Sequence, residues 1–509
     1  MPIKFHSVAL IGLDALPVEV EADVSQSLQS FKVVGLPDIS VNEAKERVRA
    51  AIKNSGLHFP VGRVTVNLAP AHIRKEGPMH DLAMALAIVS ASGGLKLIER
   101  KRRIFLGELA LDGTVRPLIG VLPAALAAIE NGTEEIFFPA GNSAEMTLAL
   151  SSRSSGLLAL PVKSVTDVLM HLSGQQLIQP LEISVENDVV STTKYPVDFA
   201  HVHGQSLAKR ALEIAAAGGH NVLMTGPPGS GKTMLARALP SILPPMTREE
   251  MLEVTKIRSV SGKLTALGLA TDRPFRSPHH TSSSVALIGG GSWPTPGEVS
   301  LAHRGVLFLD ELPEFPRHVL EALRQPLEDG FVTISRAQCT LRFPAQFSLI
   351  AARNPCPCGY ATDPSRDCTC QPTEAQRYAR KISGPLLDRI DLHFEVPKVD
   401  PNDLLKRQLG ESSELIRARV VSARQMMSRR LNGEAAISNA DMDHKLIAKH
   451  CLLDTTTENF LRDATDRLKL SARAVSRTLK VSRTIADLAG AEHIAREHLA
   501  EALQFRTRQ

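Results

Sequence analysis

The chain has 509 residues, 43% of them hydrophobic and 22% charged; this is an ordinary globular composition, long enough for about three domains, and it excludes a mostly disordered or collagen-like chain. There is no run of about 18 apolar residues to span a membrane, and one lysine and a short apolar stretch ahead of Asp14 make a poor signal peptide, so a cytoplasmic protein with no membrane partner is expected. The net charge of +5 does not by itself argue for nucleic acid, and 4% aromatic residues are too few for binding built on base stacking.

Residues 1–175 read as one α+β domain. Val18 to Val24 alternates apolar and polar, the pattern of a half-buried strand. Asn42 to Asn54 has Ala44, Val48, Ala51 and Ile52 on one helical face with Gly56 just beyond it. Arg63 to Leu68 is a second strand closed by Ala69-Pro70, and Asp81 to Ala91 an apolar helix ending at Gly93-Gly94. Residues 176–200 form a linker, polar from Glu182 to Lys194. A helix from Gln205 to Ala217 then opens an alternation of helix and strand that runs to about Val396; residues 201–400 are expected to form a parallel sheet with crossover helices. Strand signals vanish in residues 401–509. A long charged helix (about Asn402 to Leu431) and shorter ones, the clearest from Ser471 to Ala489 with Val475, Leu479, Ile485 and Leu488 on or near one face, form a helical linker and lid. Residues from Glu411 onward hold 17 Lys/Arg against 13 Asp/Glu, an excess that a solvated helical face also explains.

The strand Asn221 to Thr225 runs into Gly226, Pro227, Pro228, Gly229, Ser230, Gly231, Lys232 and Thr233. This is G-x-x-x-x-G-K-[ST] between a strand and a helix, the context a phosphate-binding loop requires. Its backbone N–H groups and the positive end of the helix beginning near Lys232 would cradle ATP phosphates. Lys232 would reach the β- and γ-phosphates, and the Thr233 hydroxyl would bind Mg²⁺. The buried strand from Gly305 ends in Asp310 and Glu311. Asp310 would hold Mg²⁺ through water and Glu311 would polarise the attacking water, which makes the reaction hydrolysis. A third strand, Phe347 to Arg353, ends at Asn354, whose amide could position the same water. Arg389, in Leu386 to Leu392, is either half of a surface salt bridge or an arginine finger for a neighbouring subunit's nucleotide. Arg473 opens a helix whose N-cap is Ser471, and could contact the γ-phosphate from the lid.

Four of the six cysteines are clustered as Cys356-Pro-Cys358 and Cys368-Thr-Cys370. Four thiolates close a tetrahedral Zn²⁺ site and leave no open position, so the metal would be structural; four free cysteines or a redox pair are the alternatives. His279, His280 and His303 are left out of the ligand set.

Together these motifs resemble an AAA+ ATPase. Phe275 to His280, Gly289 to Gly291, Gly297 to His303, Pro313 to Phe315 and Leu320 to Gly330 resemble the magnesium-chelatase-like branch, and with Val34 to Asp38, Val66 to Pro70 and Lys75 to Pro78 the chain is most similar to the ComM/YifB family. The resemblance implies a P-loop parallel-sheet core with a C-terminal helical lid, behind an α+β domain like that of Lon protease (ribosomal S5 domain 2-like). It implies a hexameric, ATP- and Mg²⁺-dependent motor on single-stranded or branched DNA, a helicase or branch-migration factor in recombination or natural transformation. A protein remodeller and a magnesium-chelatase-like subunit are the competing readings. In related ring motors a hairpin such as Phe331–Ser335 with Cys339–Phe343 points into the pore, so Arg336 at its tip could contact DNA phosphate; it could equally be an ordinary turn arginine. In the Lon-like domain Met79 stands where Lon has its nucleophilic serine and Leu122 where the lysine base would align, and neither side chain can do that chemistry. The front domain is therefore expected to bind or scaffold and to lack peptidase activity.

Overall fold

A computed structural model describes residues 4–36, 38–75, 77–95, 101–152, 156–182, 195–263, 269–291, 294–336, 339–363, 365–399 and 410–506. The chain divides into two compact units, one of Met1–Val189 with Thr255–Ala270, the other of Val190–Val254 with Thr271–Gln509. Most of the polar stretch read as a linker, residues 183–194, lies outside the described residues, as do residues 401–409. No helix among the described residues is long and apolar enough to cross a membrane.

The front unit opens with a four-stranded sheet in the order Lys4–Ile11, Asp14–Ser25, Arg63–Ala69, Ser30–Val34. Its first three strands pair antiparallel and the last pairs parallel. Val18, Val20 and Ala22 are buried in alternation with more exposed neighbours, as the sequence pattern requires. The helix Ile39–Asn54 begins three residues earlier than expected because Asp38 caps it, accepting from the Val41 N–H. The helix Asp81–Ala91 is buried through Ser90. Asp81, in its first turn, accepts from Arg47 Nε at 2.8 Å and from the Leu109 N–H at 3.3 Å. The second half of the unit adds a parallel sheet of Arg103–Phe105, Glu135–Pro139 and Leu158–Val162.

The second unit is built on five parallel strands in the order Phe275–Arg276, Val306–Leu309, Ser348–Arg353, Val222–Thr225, Leu392–Glu395. Val306–Leu309 is wholly buried, as expected of a strand covered on both faces. Beyond residue 410 every regular element among the described residues is a helix. The long one spans Ser413–Arg430, capped by Ser412, so its described start is later than the charge pattern suggested. Ala472–Leu488 is capped by Ser471 as expected, but its buried side is mostly polar: Thr478, Ser482, Arg483, Thr484 and Asp487 are buried, and of the four apolar residues assigned to its face only Ile485 is.

That polar side joins the helix to the sheet. His220 Nδ1 lies 3.0 Å from Asp391 Oδ2, and its Nε2 lies 2.8 Å from Thr484 Oγ1. Asn439 donates to Thr484 Oγ1 at 3.0 Å and to Asp487 Oδ2 at 2.8 Å. Arg430 and Arg483 close on the Asp487 carboxylate at 2.6–3.1 Å. Polar groups buried this deep stay because nearly all of them have partners; Arg430 Nε is the exception in this network. Thr484→Val should therefore lower stability by about 1–3 kcal/mol, the cost of leaving buried partners unpaired, read as a lower denaturant midpoint for the second unit.

In the front unit His80 is fully buried, and burial pushes its pKa down to about 4. Its Nδ1 sits 3.0 Å from Ser7 Oγ. The unfolded chain takes up this proton near the ordinary histidine value of 6.5, whereas the folded chain resists it until about 4. The resulting stabilisation is complete above pH 6.5 and is lost as pH falls through that window, about 3 kcal/mol in all. Thermal scans from pH 7 to 4 should show a weaker pH dependence in His80→Gln than in the native chain.

Candidate functional site

The loop after Val222–Thr225 is the predicted phosphate loop, and its glycines are required by geometry. A Cβ on Gly226 would stand 2.2 Å from the Val396 carbonyl oxygen, and Gly229 and Gly231 have φ of +75° and +90°, values that disfavour any side chain. Lys232 is buried and its Nζ donates to the carbonyls of Gly226 (2.7 Å) and Pro227 (2.9 Å), with Asn354 Oδ1 at 3.4 Å. Burial lowers the Lys232 pKa, while Asp310 and Glu311 oppose that shift. Ser230 Oγ is buried without a hydrogen-bond partner, a free donor inside a loop shaped for an anion.

Parallel pairing aligns Thr225 with Arg353 and Leu309 with Ala351, so the residues that follow these strands emerge at one edge. Thr233 Oγ1 donates to Asp310 Oδ2 at 2.9 Å. A hydroxyl and a carboxylate meeting beside the lysine fit Mg²⁺ bound partly through water. Glu311 has φ +50°, unusual for a residue with a side chain, and caps the short turn Leu312–Glu314. Its carboxylate lies 3.3 Å from His280 Nδ1, and the His279 ring is 4.1 Å from that of His280. His280 is a site residue that the sequence reading missed; the signal was a histidine pair just after a sheet strand. His303 serves elsewhere, with Nε2 3.0 Å from Glu253 and Nδ1 accepting from the Gln346 N–H.

The loop after Asn354 brings the cysteines together. The ligand atoms of Cys356, Cys358, Cys368 and Cys370 all lie within 4.8 Å of one another, and three of the Sγ–Sγ separations are 3.3–3.6 Å. A disulfide needs about 2.05 Å; four sulfurs at about 2.3 Å from a tetrahedral ion stand about 3.8 Å apart. The cluster can hold a metal ion, and its spacing fits one better than a disulfide. Backbone N–H groups, first that of Tyr360, draw the Cys358 thiol down to about 5, while Cys368 and Cys370 in the same cluster are raised above the ordinary thiol value.

Arg389 and Arg473 lie at the other end of the sheet. Arg389 precedes the strand Leu392–Glu395, pairs with Glu328, and donates to the Pro385 carbonyl at 2.6 Å. Its Nε is buried without a partner. Arg473 is exposed and pairs with Asp388 at 3.2 Å. Four residues of strand rise about 13 Å, so neither arginine is brought to the phosphate loop of its own chain. Arg389 lines a polar cleft of about 540 Å³ with Arg424, Arg477 and Lys480. Arg336 ends the strand Phe331–Arg336, which pairs antiparallel with Cys339–Pro344 as expected; its side chain, like residues 337–338, lies outside what is described.

In the front unit Met79 and Leu122 are buried in one apolar cluster with Leu106, Val121 and Phe138. The two positions that the sequence reading sets against Lon's serine and lysine are thus part of the core.

Two substitutions separate binding from turnover. Glu311→Gln should bind Mg-ATP near normally and lose at least about a hundredfold in phosphate release, whereas Lys232→Ala should lose nucleotide binding itself; nucleotide titration and a phosphate-release assay read both.

The family model "Magnesium chelatase, subunit ChlI" matches residues 198–404, "Subunit ChlI of Mg-chelatase" matches 20–142, and "Magnesium chelatase, subunit ChlI C-terminal" matches 410–506. The chain is 44% identical over 504 residues to the competence protein ComM of Haemophilus influenzae, covering 98% of this chain and 96% of that one. It is 43% identical over 502 residues to YifB of Salmonella typhimurium, with the same coverage. A shorter segment is similar to the Lon protease of Azospirillum brasilense, 29% identical over 148 residues, or 27% of this chain and 18% of that protease. With its phosphate loop at one edge of a five-stranded parallel sheet and this likeness over nearly its whole length, the chain belongs to the ComM/YifB family, in the magnesium-chelatase-like AAA+ branch.

Proposed function

We propose that the protein is an ATP-hydrolysing ring motor that acts on DNA, a helicase or branch-migration factor. The observation that carries the ring is the separation of its charges. Lys232, Asp310, Glu311 and Asn354 gather at one edge of the sheet, while Arg389 and Arg473 stand at the opposite edge. A head-to-tail neighbour would bring those arginines to a phosphate loop that lacks them, so each hydrolysis site would be completed in trans.

In this reading the loop N–H groups and Lys232 bind the phosphates. Glu311 orients and deprotonates the attacking water, and Asn354 fixes its position. Mg²⁺, when held by Thr233 and Asp310, would supply charge neutralisation at the phosphate oxygens. The competence name of the Haemophilus relative supports a DNA substrate. Phosphate contact by Arg336 at the hairpin would give affinity without sequence choice. The cysteine cluster would hold a structural Zn²⁺. The Lon-like segment and the chelatase family models favour a second reading, a protein remodeller or chelatase-type subunit.

Mixing Lys232→Ala with Arg389→Ala subunits tests completion in trans. Each alone should be inactive, and the mixture should recover part of the ATPase rate, because some interfaces pair an intact loop with an intact arginine. A strictly monomeric, fully active protein would defeat the ring. Single-stranded or branched DNA should raise the native rate, with affinity falling steeply as salt rises. A rate indifferent to every DNA form, but raised by a protein substrate, would favour the second reading.

A further inference from the structure

The cysteine loop touches the nucleotide loop. Gly359 has φ +88°, and a methyl group placed on it would stand 2.7 Å from Pro228 Cδ and 2.8 Å from its Cγ, with Asn354 Cγ at 3.9 Å. The backbone between the two cysteine pairs is thus pressed against the phosphate loop with no space for a side chain. Entry to the cysteine loop is tied to the same place. Cys356 follows Asn354 by two residues, and the Asn354 amide oxygen is 3.4 Å from Lys232 Nζ. Its exit runs straight into the helix Pro372–Ala379, whose N-cap is Gln371, next to Cys370. Lys398 holds the middle of the loop, 3.0 Å from Ser365 Oγ and 3.8 Å from Asp363.

Within this bracket the chain is held by short turns, with the Gly359 N–H on the Cys356 carbonyl at 3.0 Å and the Asp363 N–H on the Tyr360 carbonyl at 3.1 Å, and by Arg366 over the Tyr360 ring. No described residue from Asn354 to Gln371 belongs to a helix or strand, and the four sulfurs are what brings the two ends of the loop together. The geometry points to a metal-dependent support for nucleotide binding. An ion of the Zn²⁺ class on Cys356, Cys358, Cys368 and Cys370 sets Gly359 against Pro228 and Asn354 beside Lys232, and metal occupancy thereby sets the affinity for ATP. This rests on the metal reading of the cluster proposed above and adds to it a target, the phosphate loop. The metal takes no part in hydrolysis; it acts by positioning.

The test uses the full chain. Metal analysis comes first, then zinc stripping with a thiol-compatible chelator that is removed before Mg²⁺ is supplied. A fluorescent ATP analogue is titrated onto native, stripped and zinc-restored protein, and hydrogen exchange is followed by peptide. About one zinc per chain is expected. Stripping should weaken the analogue at least about fivefold and speed exchange in residues 226–233 and 354–371 while leaving residues 4–95 unchanged, and one equivalent of zinc should reverse both effects. Zinc present and removable with affinity kept within about twofold would overturn the support role and leave the metal reading standing. A protein that neither contains nor takes up zinc would overturn both. Should stripping unfold the second unit, Gly359→Ala decides: weaker nucleotide binding at full zinc content supports the inference, and native affinity overturns it.

Discussion

Parallel pairing is the constraint on which the second unit depends. Five strands running the same way deliver their C-terminal ends to one edge, and a strand buried on both faces can carry chemistry only where it stops. Val306–Leu309 is apolar to its last residue and Asp310 comes next; Ser348–Arg353 ends just before Asn354; Val222–Thr225 ends just before Gly226. The register holds these ends level, and the Arg353 guanidinium ties two of them by donating to Thr225 Oγ1 at 3.1 Å. The same constraint gives the opposite edge its character. Asp388, Arg389 and Asp391 precede the strand Leu392–Glu395, so they collect where Arg473 and Arg477 arrive from the helix Ala472–Leu488. One sheet thus separates a phosphate-binding end from an arginine-bearing end by a strand's length.

What could be read from sequence follows from how local each signal is. The phosphate loop is eight consecutive residues with its own turn chemistry, and it needs no tertiary information. Asp310 and Asn354 were visible because an apolar run that stops at a polar residue marks a strand end. The cysteine spacing announced itself for the same reason. The His220–Asp391–Thr484–Asn439 network was invisible, because its members lie far apart in the chain and look like surface residues one at a time. It also spoiled the periodicity of Ala472–Leu488, in which buried Thr478 and Ser482 stand where an apolar stripe was expected. Arg103–Phe105, at three residues, is too short to show a period of two. The conformation of Glu311 and its His280 partner depend on a turn that no propensity scale encodes. The sheet end that Arg473 faces is likewise set by packing, on which helix periodicity is silent.

The front unit shows the opposite relation between motif and chemistry. A segment of the chain is similar to Lon, yet the side chains at Met79 and Leu122 belong to a core. Met79 and Leu122 each remove apolar surface from water, a gain on the order of 1.5–3 kcal/mol per fully buried side chain, whereas a serine and a lysine at the same depth would need polar partners to avoid a desolvation cost of similar size. Most nearby polar groups are already engaged, His80 Nε2 being the exception. Lys75 donates to the Pro70 carbonyl, Ser7 lies between His80 Nδ1 and the Met79 carbonyl, and Glu145 takes the Leu122 N–H at 2.9 Å. A hydroxyl placed at position 79 would meet an apolar cluster that includes Leu122. In this chain Met79 and Leu122 are given to packing, and the polar residues that follow buried strands, Asp310 and Asn354, gather with Lys232 and Thr233 at the loop edge of the second unit.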